Sequence, residues 1–369
     1  MKTSLFDYDL PRELIAQKSV SPRDHSRLMV LDRKHKTIEH HRFFEIGDFL
    51  RSGDLLVVNN TKVFKARLLG TVRGGDGKQK PIEIFLLNAI ETQPRGATSG
   101  GATSRNNAGG ATSRNNGRVW HCLGKPGKRL HPGVEIRFGR VHSRVILKGE
   151  QGELTVEFFG VSDVVRWANR VGHIPIPPYV AHEPKKIEAY QTVYAKHTGS
   201  VAAPTAGFHF TPRLIRALKK KGIGFASVTL HVGMGTFRPM VTDTLEDHVM
   251  HEEYAEVPTK TARVIAETKK RGGRVIAVGT TTVRALEGLL LPPPGCGMRT
   301  GMVNLFINPG YHFKVIDGLI TNFHLPRSTL LVLVSAFAGR SFMLKSYREA
   351  VRKKYRFYSF GDAQLIVNE

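Results

Sequence analysis

Cysteine is almost absent: Cys122 and Cys296 are the only two in 369 residues. Two thiols cannot build a disulfide framework or a cysteine-based zinc or iron–sulfur site, and such sparing use fits a reducing cytoplasm. Long apolar runs are missing as well. The longest, 330–338, is too short to cross a bilayer. The opening MKTSLFDYDLPREL carries Asp7, Asp9, Arg12 and Glu13 where a signal peptide needs unbroken apolar sequence. A soluble cytoplasmic protein with no membrane association is expected. Acidic residues are the third shortage, because 31 Asp and Glu face 55 Lys and Arg, a formal charge of +24. A few solvated helix faces do not account for that excess, and a polyanionic partner is the first expectation. Also missing are a GxSxG elbow, a P-loop and a complete GxGxxG with a downstream acid, so nucleophilic hydrolysis and NTP cleavage have no motif.

With 41% hydrophobic residues the chain can build real cores, and its length suits about two domains. LLVVNN at 55–60, IEIFLL at 82–87, RVWHCLG from Arg118, VEIRFG from Val134, and SRVILKG and ELTVEFFG on either side of 149–152 alternate with period two. Short strands with Gly-rich turns predict an antiparallel barrel. Within it GGATSRNN occurs at 100–107 and again at 109–116, after a shortened GATS at 96–99. This composition cannot bury apolar area, so it reads as a flexible surface loop expanded by duplication, the alternative being an arm that carries Arg105 and Arg114 to RNA. From about residue 160 helices alternate with strands. Thr211 and Pro212 cap and open one helix, Gly222 stops it before FASVTLHV, a second helix covers about 261–271, and RVIAVG leads to a third that Thr280 opens. With the strand-like SRLMVLD at 26–32, the expected fold is mixed α/β: a discontinuous α/β domain of 1–62 and 160–369, an inserted antiparallel β-barrel of 63–159, and a low-complexity loop at 89–117.

Four polar clusters interrupt the apolar pattern. In AVGTTTVRALEG, Gly279 ends a strand and Thr280 to Thr282 sit at a helix N-terminus, suited either to a carboxylate or phosphate or to an ordinary threonine cap; Arg284 lies one turn in. AAPTAGFHFTP presents Thr205, Gly207, which would let a ligand approach the backbone, and His209, which is either a proton carrier or a structural ring. LHVGMGTFRP places His231, Gly233, Gly235, Thr236 and Arg238 at a strand exit, and TNFHLPRSTLL sets Asn322 and His324 before a core helix. His248, His251, Glu252 and Glu253 in HVMHEEY lack the third ligand and the spacing of a metal site.

Taken in order, FDYDLPRELIAQ, SRLMVLDR, GDLLVVNNTKVFKARL, GHIPIPPY, YQTVYAK, APTAGFHFT, HVGMGTFRP, VGTTTVRALE, TNFHLPRSTLLVLVSAFAG and YRFYSFGDAQLI resemble the ribosyltransferase-isomerase family of queuosine biosynthesis. The resemblance covers nearly the whole chain except about 89–117. It implies transfer and isomerisation of the ribosyl group of S-adenosylmethionine onto 7-aminomethyl-7-deazaguanine at the tRNA wobble position, giving epoxyqueuosine, adenine and methionine. It implies S-adenosylmethionine as co-substrate, no permanently bound cofactor and no metal, a tRNA partner with a GUN anticodon (Asp, Asn, His and Tyr acceptors), and a monomer. The matched positions make His209, His231, His324 and Asp362 the proton-transfer candidates. Thr205, Gly207, Gly233, Gly235, Thr236, Gly279, Thr280 and Thr281 become candidates for the S-adenosylmethionine site, and Asn59, Asn60, Thr61, Arg67, Arg238, Arg284 and Asn322 for substrate contact. Two readings from other classes stand beside it. A non-catalytic structured-RNA binder has no need of small polar clusters at strand exits, and a methyltransferase lacks its Gly-rich loop here.

Because closure entropy changes only logarithmically with loop length, deleting 96–116 is expected to leave the melting temperature and turnover nearly unchanged. A variant that no longer folds in a thermal scan would show that the repeat is structural.

Overall fold

The computed structural model describes residues 1–90, 118–233, 240–290 and 298–368. The GGATSRNN repeat, Gly235, Thr236, Arg238 and Cys296 lie outside the described residues. Contacts divide the chain into two units, Met1–Val63 with Ile176–Glu369, and Phe64–Pro175. No single helix among the described residues is long and apolar enough to cross a membrane.

In the first unit a mixed nine-stranded sheet starts from β1 (Arg27–Asp32), β2 (Thr37–Arg42) and β3 (Leu55–Asn59), with β4 (Thr61–Val63) beside it. The second unit closes six antiparallel strands into a barrel: β5 (Arg67–Arg73), β6 (Gln79–Ala89), β7 (Val119–Lys125), β8 (Glu135–Phe138), β9 (Val141–Lys148) and β10 (Glu153–Phe159). Inward positions alternate along each strand, as Trp120 and Cys122 do on β7 and Leu154, Val156 and Phe158 on β10. Gly124 has to be glycine, since a Cβ there would lie 2.4 Å from Leu130 and 2.5 Å from Leu154. Burial pushes the Cys122 thiol up, leaving it an inert core residue. Helix α1 (Val164–Val171) belongs to this unit. Asp163 caps it by accepting from the Arg166 amide at 2.8 Å, and Trp167 seats its apolar face on Phe138 and Phe158 at 5.7 and 5.9 Å.

The first unit resumes with β11 (His197–Ser200), α2 (Pro212–Lys220), β12 (Gly224–Leu230), β13 (Glu253–Val257), α3 (Thr259–Lys270), β14 (Val275–Val278), α4 (Thr280–Leu289), β15 (Arg299–Val303), β16 (Gly318–Asn322), α5 (Thr329–Ala338), α6 (Arg340–Arg352) and β17 (Ala363–Val367). The order across the large sheet is β15-β13-β12-β3-β14-β16-β17-β1-β2. Its centre, β12-β3-β14-β16, is parallel; β3, β14 and β16 are buried along their whole length and read as near-continuous apolar runs, whereas β12 is buried only over its last three residues. Their C-terminal ends meet at one edge. Since β17 runs antiparallel to β16 and parallel to β1, the N-termini of β17 and β1 reach the same edge, with Asn322 opposite Ala363 and Ala363 opposite Leu28.

Helix α4 is buried over Thr280–Glu287, although it carries Arg284 and Glu287. Glu287 accepts from the amides of Val315 and Ile316 at 3.0 and 3.1 Å, and from the Lys314 amide and the Tyr311 hydroxyl at 3.1 and 3.2 Å. Replacing it by alanine strands those donors, so Glu287→Ala is expected to cost about 3 kcal/mol or more of unfolding free energy. Chemical denaturation would contradict this if the loss stayed below about 1 kcal/mol.

Candidate active site

A narrow cleft of about 70 Å³ opens at the C-terminal edge of the parallel strands, where ligands bind open α/β sheets. Three elements that the sequence singled out converge there. Gly279, Thr280 and Thr281 come from the β14–α4 junction, Thr205 from a 3-10 turn at Thr205–His209, and Asn322 and His324 from the end of β16. Tyr179, Ser328 and Tyr358 complete the wall. No Lys, Arg, Asp or Glu side chain lines it among the described residues.

The β14–α4 junction decides between cap and ligand site. The cap position is Gly279, at φ 90 and ψ 149, and Thr280 is already the first helical residue. A residue with a Cβ is strained at that φ, and glycine brings no side chain to cap the helix. No side chain caps the helix among the described residues, and Thr282 turns back to bond the Val278 carbonyl at 2.7 Å. The positive end of α4 thus faces the cleft through Thr280 and Thr281, a setting for a carboxylate or phosphate.

The three histidines occupy different layers. His324 lines the cleft; Nε2 pairs with the Thr321 hydroxyl at 2.9 Å, and no hydrogen bond to Nδ1 occurs among the described residues. Its backbone is held on both sides, the amide by Tyr347 at 3.0 Å and the carbonyl by the Tyr8 hydroxyl. His209 lies behind. Its Nδ1 meets Ser26 at 2.7 Å, and its Nε2 meets the Asn322 amide nitrogen at 3.2 Å, while Asn322 Oδ1 accepts from Thr205 at 3.0 Å. His209 therefore orients Asn322, with both ring nitrogens occupied. His231 pairs through Nδ1 with Thr61 at 2.8 Å, and its Nε2 lies over Gly199, where a Cβ would come within 2.7 Å. Burial lowers all three, His209 to about 3 with help from Arg23 and Arg356, His324 to about 3, and His231 to about 4 with help from His197. All three are neutral at neutral pH.

Several expected site residues serve the framework instead. Asp362 does not line the cleft; its carboxylate accepts from the Arg27 and Arg356 amides, both at 2.8 Å, and so staples the turn before β17 to β1. Burial raises its pKa against those bonds. Arg284 is spent on Glu253 and on the Leu305 and Val303 carbonyls, both at 3.2 Å, so it is not a substrate contact in this conformation. The space beside Gly207 is taken by Tyr194, whose hydroxyl would lie 2.0 Å from an added Cβ, so the close approach is internal and not a ligand's. Asn59 binds both backbone groups of Leu230 and reaches Thr281 at 3.3 Å, and Asn60 pairs with Ser227 and Thr229 at 3.1 and 2.8 Å. Thr61 holds His231, and Gly233 donates to Glu253 at 3.0 Å. Arg67 belongs to the barrel unit and pairs with Glu83 at 2.8 Å. Among the described residues no group of three or more potential ligands gathers for a metal.

Sequence reasoning passed over Tyr179 and Tyr358. Their rings lie 4.1 Å apart, Tyr179 bonds Ser359, and Tyr358 holds a positive φ of 73. Tyr358 opens YSFGDA, but its φ above zero, a strained conformation of the kind that gathers at functional turns, is visible only in the fold.

A family model described as queuosine biosynthesis protein matches residues 3–366. S-adenosylmethionine:tRNA ribosyltransferase-isomerases from Thermotoga maritima and Heliobacterium modesticaldum are 49% and 47% identical to this chain, each alignment covering 100% of both proteins. A crystal structure of S-adenosylmethionine tRNA ribosyltransferase from Thermotoga maritima matches with a TM-score of 0.54 at 40% identity, covering 98% of this chain and 100% of that one.

The neutral histidines carry a pH dependence of stability. An unfolded histidine titrates near 6.5, whereas His209 and His324 stay neutral down to about 3 in the fold. Below 6.5 the unfolded chain binds more protons, so stability falls as the pH drops from 6.5 towards 3. At about pH 5 each ring accounts for a loss of up to about 2 kcal/mol. The denaturation midpoint is expected to fall between about pH 7.5 and pH 5, and to fall less in His209→Gln. A pH-independent midpoint would mean that both rings titrate in the fold as they do in the unfolded chain.

Proposed function

Because this chain belongs to the queuosine biosynthesis protein family, whose full-length relatives are S-adenosylmethionine:tRNA ribosyltransferase-isomerases, we propose that the cleft at the C-terminal sheet edge is where S-adenosylmethionine reacts. The enzyme modifies tRNA. The proposed reaction moves and isomerises the ribosyl group of S-adenosylmethionine onto 7-aminomethyl-7-deazaguanine at the wobble position, giving epoxyqueuosine and releasing adenine and methionine. The reading extends to tRNAs with a GUN anticodon, to a monomeric cytoplasmic enzyme and to a reaction without a metal, on the strength of the family likeness.

One observation carries the assignment: His324 shares the cleft with the uncapped N-terminus of α4 and keeps a ring nitrogen unbonded among the described residues. The helix end with Thr280 and Thr281 suits the methionine carboxylate. The sulfonium acidifies the ribose C5′–H, so a neutral acceptor must stand beside that carbon, and His324 is the histidine in reach of the cleft. Thr321 fixes the ring, and Thr205, Asn322 and His209 form a bonded chain behind it. The attack then falls to the neutral aminomethyl nitrogen, as adenine departs. Gly235 and Thr236 remain candidates for the S-adenosylmethionine site and Arg238 for substrate contact. A non-catalytic RNA binder, the alternative that charge alone allows, is disfavoured by full-length identity to enzymes.

Incubation with S-adenosylmethionine and tRNA carrying the aminomethyl-deazaguanine is expected to release adenine and yield epoxyqueuosine by nucleoside mass analysis; a methylated product would refute the reading. His324→Gln is expected to bind S-adenosylmethionine normally while turnover drops by about 10²-fold or more. Turnover within a few-fold of wild type would remove His324 from the chemistry.

A further inference from the structure

The helix that steadies His324 also faces solvent. Its inner side buries Phe342, Met343, Ser346, Tyr347 and Ala350, and Tyr347 holds the His324 amide. Its outer side exposes Lys345, Arg348 and Arg352. These residues, with Lys36 and His40 from the β1–β2 hairpin and the single acid Glu349, line a groove of about 440 Å³. β2 is the last strand of the large sheet, so the groove follows an open edge.

The charge balance in the groove is lopsided. Glu349 is committed to Arg352, with oxygens 2.7 and 2.9 Å from its nitrogens, and is further approached by His40 and Lys353 at 3.6 and 3.8 Å. Lys36 donates to the Ala338 carbonyl at 3.2 Å and sits over the Phe342 ring, but meets no carboxylate among the described residues. Lys345 and Arg348 make no hydrogen bond or ion pair among the described residues. Exposed Lys34 extends the positive strip along the hairpin tip.

We propose that this groove between β2 and α6 is a docking site for the phosphate backbone of the substrate tRNA, with Lys345 and Arg348 as its principal contacts. The proposal rests on the functional reading above, which supplies the tRNA. Lys345 and Arg352 lie seven residues apart, about 10 Å along the helix axis, which is room for more than one phosphate. A helix with its side chains is about 10–12 Å across. The backbone in the groove would thus run roughly one helix diameter from the His324 loop, near enough for one RNA stem to hold the groove while a nucleotide from its loop enters the cleft. Cation contacts of this kind set register and affinity and carry no sequence information.

The test is binding of tRNA carrying 7-aminomethyl-7-deazaguanine to the full-length protein across a salt series. Lys345→Gln with Arg348→Gln is expected to weaken binding about tenfold at moderate salt and to flatten the slope of log affinity against log salt by about 0.7–0.9 for each lost contact. S-adenosylmethionine affinity and the melting temperature are expected to stay at wild-type values. Arg216→Gln with Lys220→Gln on the exposed face of α2 removes the same charge elsewhere, and is expected to cost less. A wild-type affinity and slope in the α6 double variant would overturn the proposal, as would an equal loss in the α2 variant, which would reduce the effect to net charge. Failure of the functional reading looks different: the wild type itself would neither bind this tRNA nor release adenine, and both inferences would fall.

Discussion

Burying a helix that carries an arginine and a glutamate is the constraint around which the first unit is arranged. Thr280–Glu287 is buried throughout, so each charge has to find its partners inside the protein. Arg284 takes Glu253 on β13 and two carbonyls, and Glu287 collects the amides of the segment before β16. Glu253 in turn holds the Gly233 amide, at the exit of β12. Helix α4 is thereby fixed to the strands on both sides of β14. Its first turn is free to do something other than hold the fold, and Gly279 leaves that turn without a cap.

Much of this architecture could be read beforehand because it rests on periodicity and punctuation. Two-residue alternation around Trp120 and Val156 signalled the barrel, and Thr211, Pro212 and Gly222 bounded α2. Helix α1 was harder to foresee, since it is short and its Trp167 packs on barrel rings that are distant in sequence. The convergence of Thr205, Gly279, Thr280, Asn322 and His324 followed from a rule of strand ends. Parallel strands bring their C-termini to one edge, so polar residues placed just after apolar runs must meet there.

The depth of each group could not be read. His209, His231 and His324 look alike in sequence, each polar amid apolar neighbours, but only contacts distant in sequence decide which ring faces the cleft and which orients another side chain. Gly207 is required because Tyr194 crosses its backbone, and Asp362 is required because two amides end there; either reason would produce the same letter as a catalytic one. Arg284, one turn into a helix whose N-terminus is a candidate anion site, matches an anion-binding arginine until its partner Glu253 is seen.

Charge and cleft have to be considered together. A chain of +24 that must admit a sulfonium cation faces a conflict, because any cation near the reacting carbon repels it. Under the proposed reading the described cleft wall meets this by carrying no Lys, Arg, Asp or Glu side chain, while cations such as Lys345, Arg348 and Arg352 sit on the exposed side of α6. On that reading the conflict bears on His324, the histidine that lines the described cleft, and burial holds its ring far below the ordinary range. A protonated ring beside a sulfonium could neither tolerate the substrate nor accept its proton, whereas a buried neutral ring can do both. Burial is the means, and sensitivity to acid is its necessary cost, since the desolvation that keeps the ring neutral when folded is absent once the chain opens.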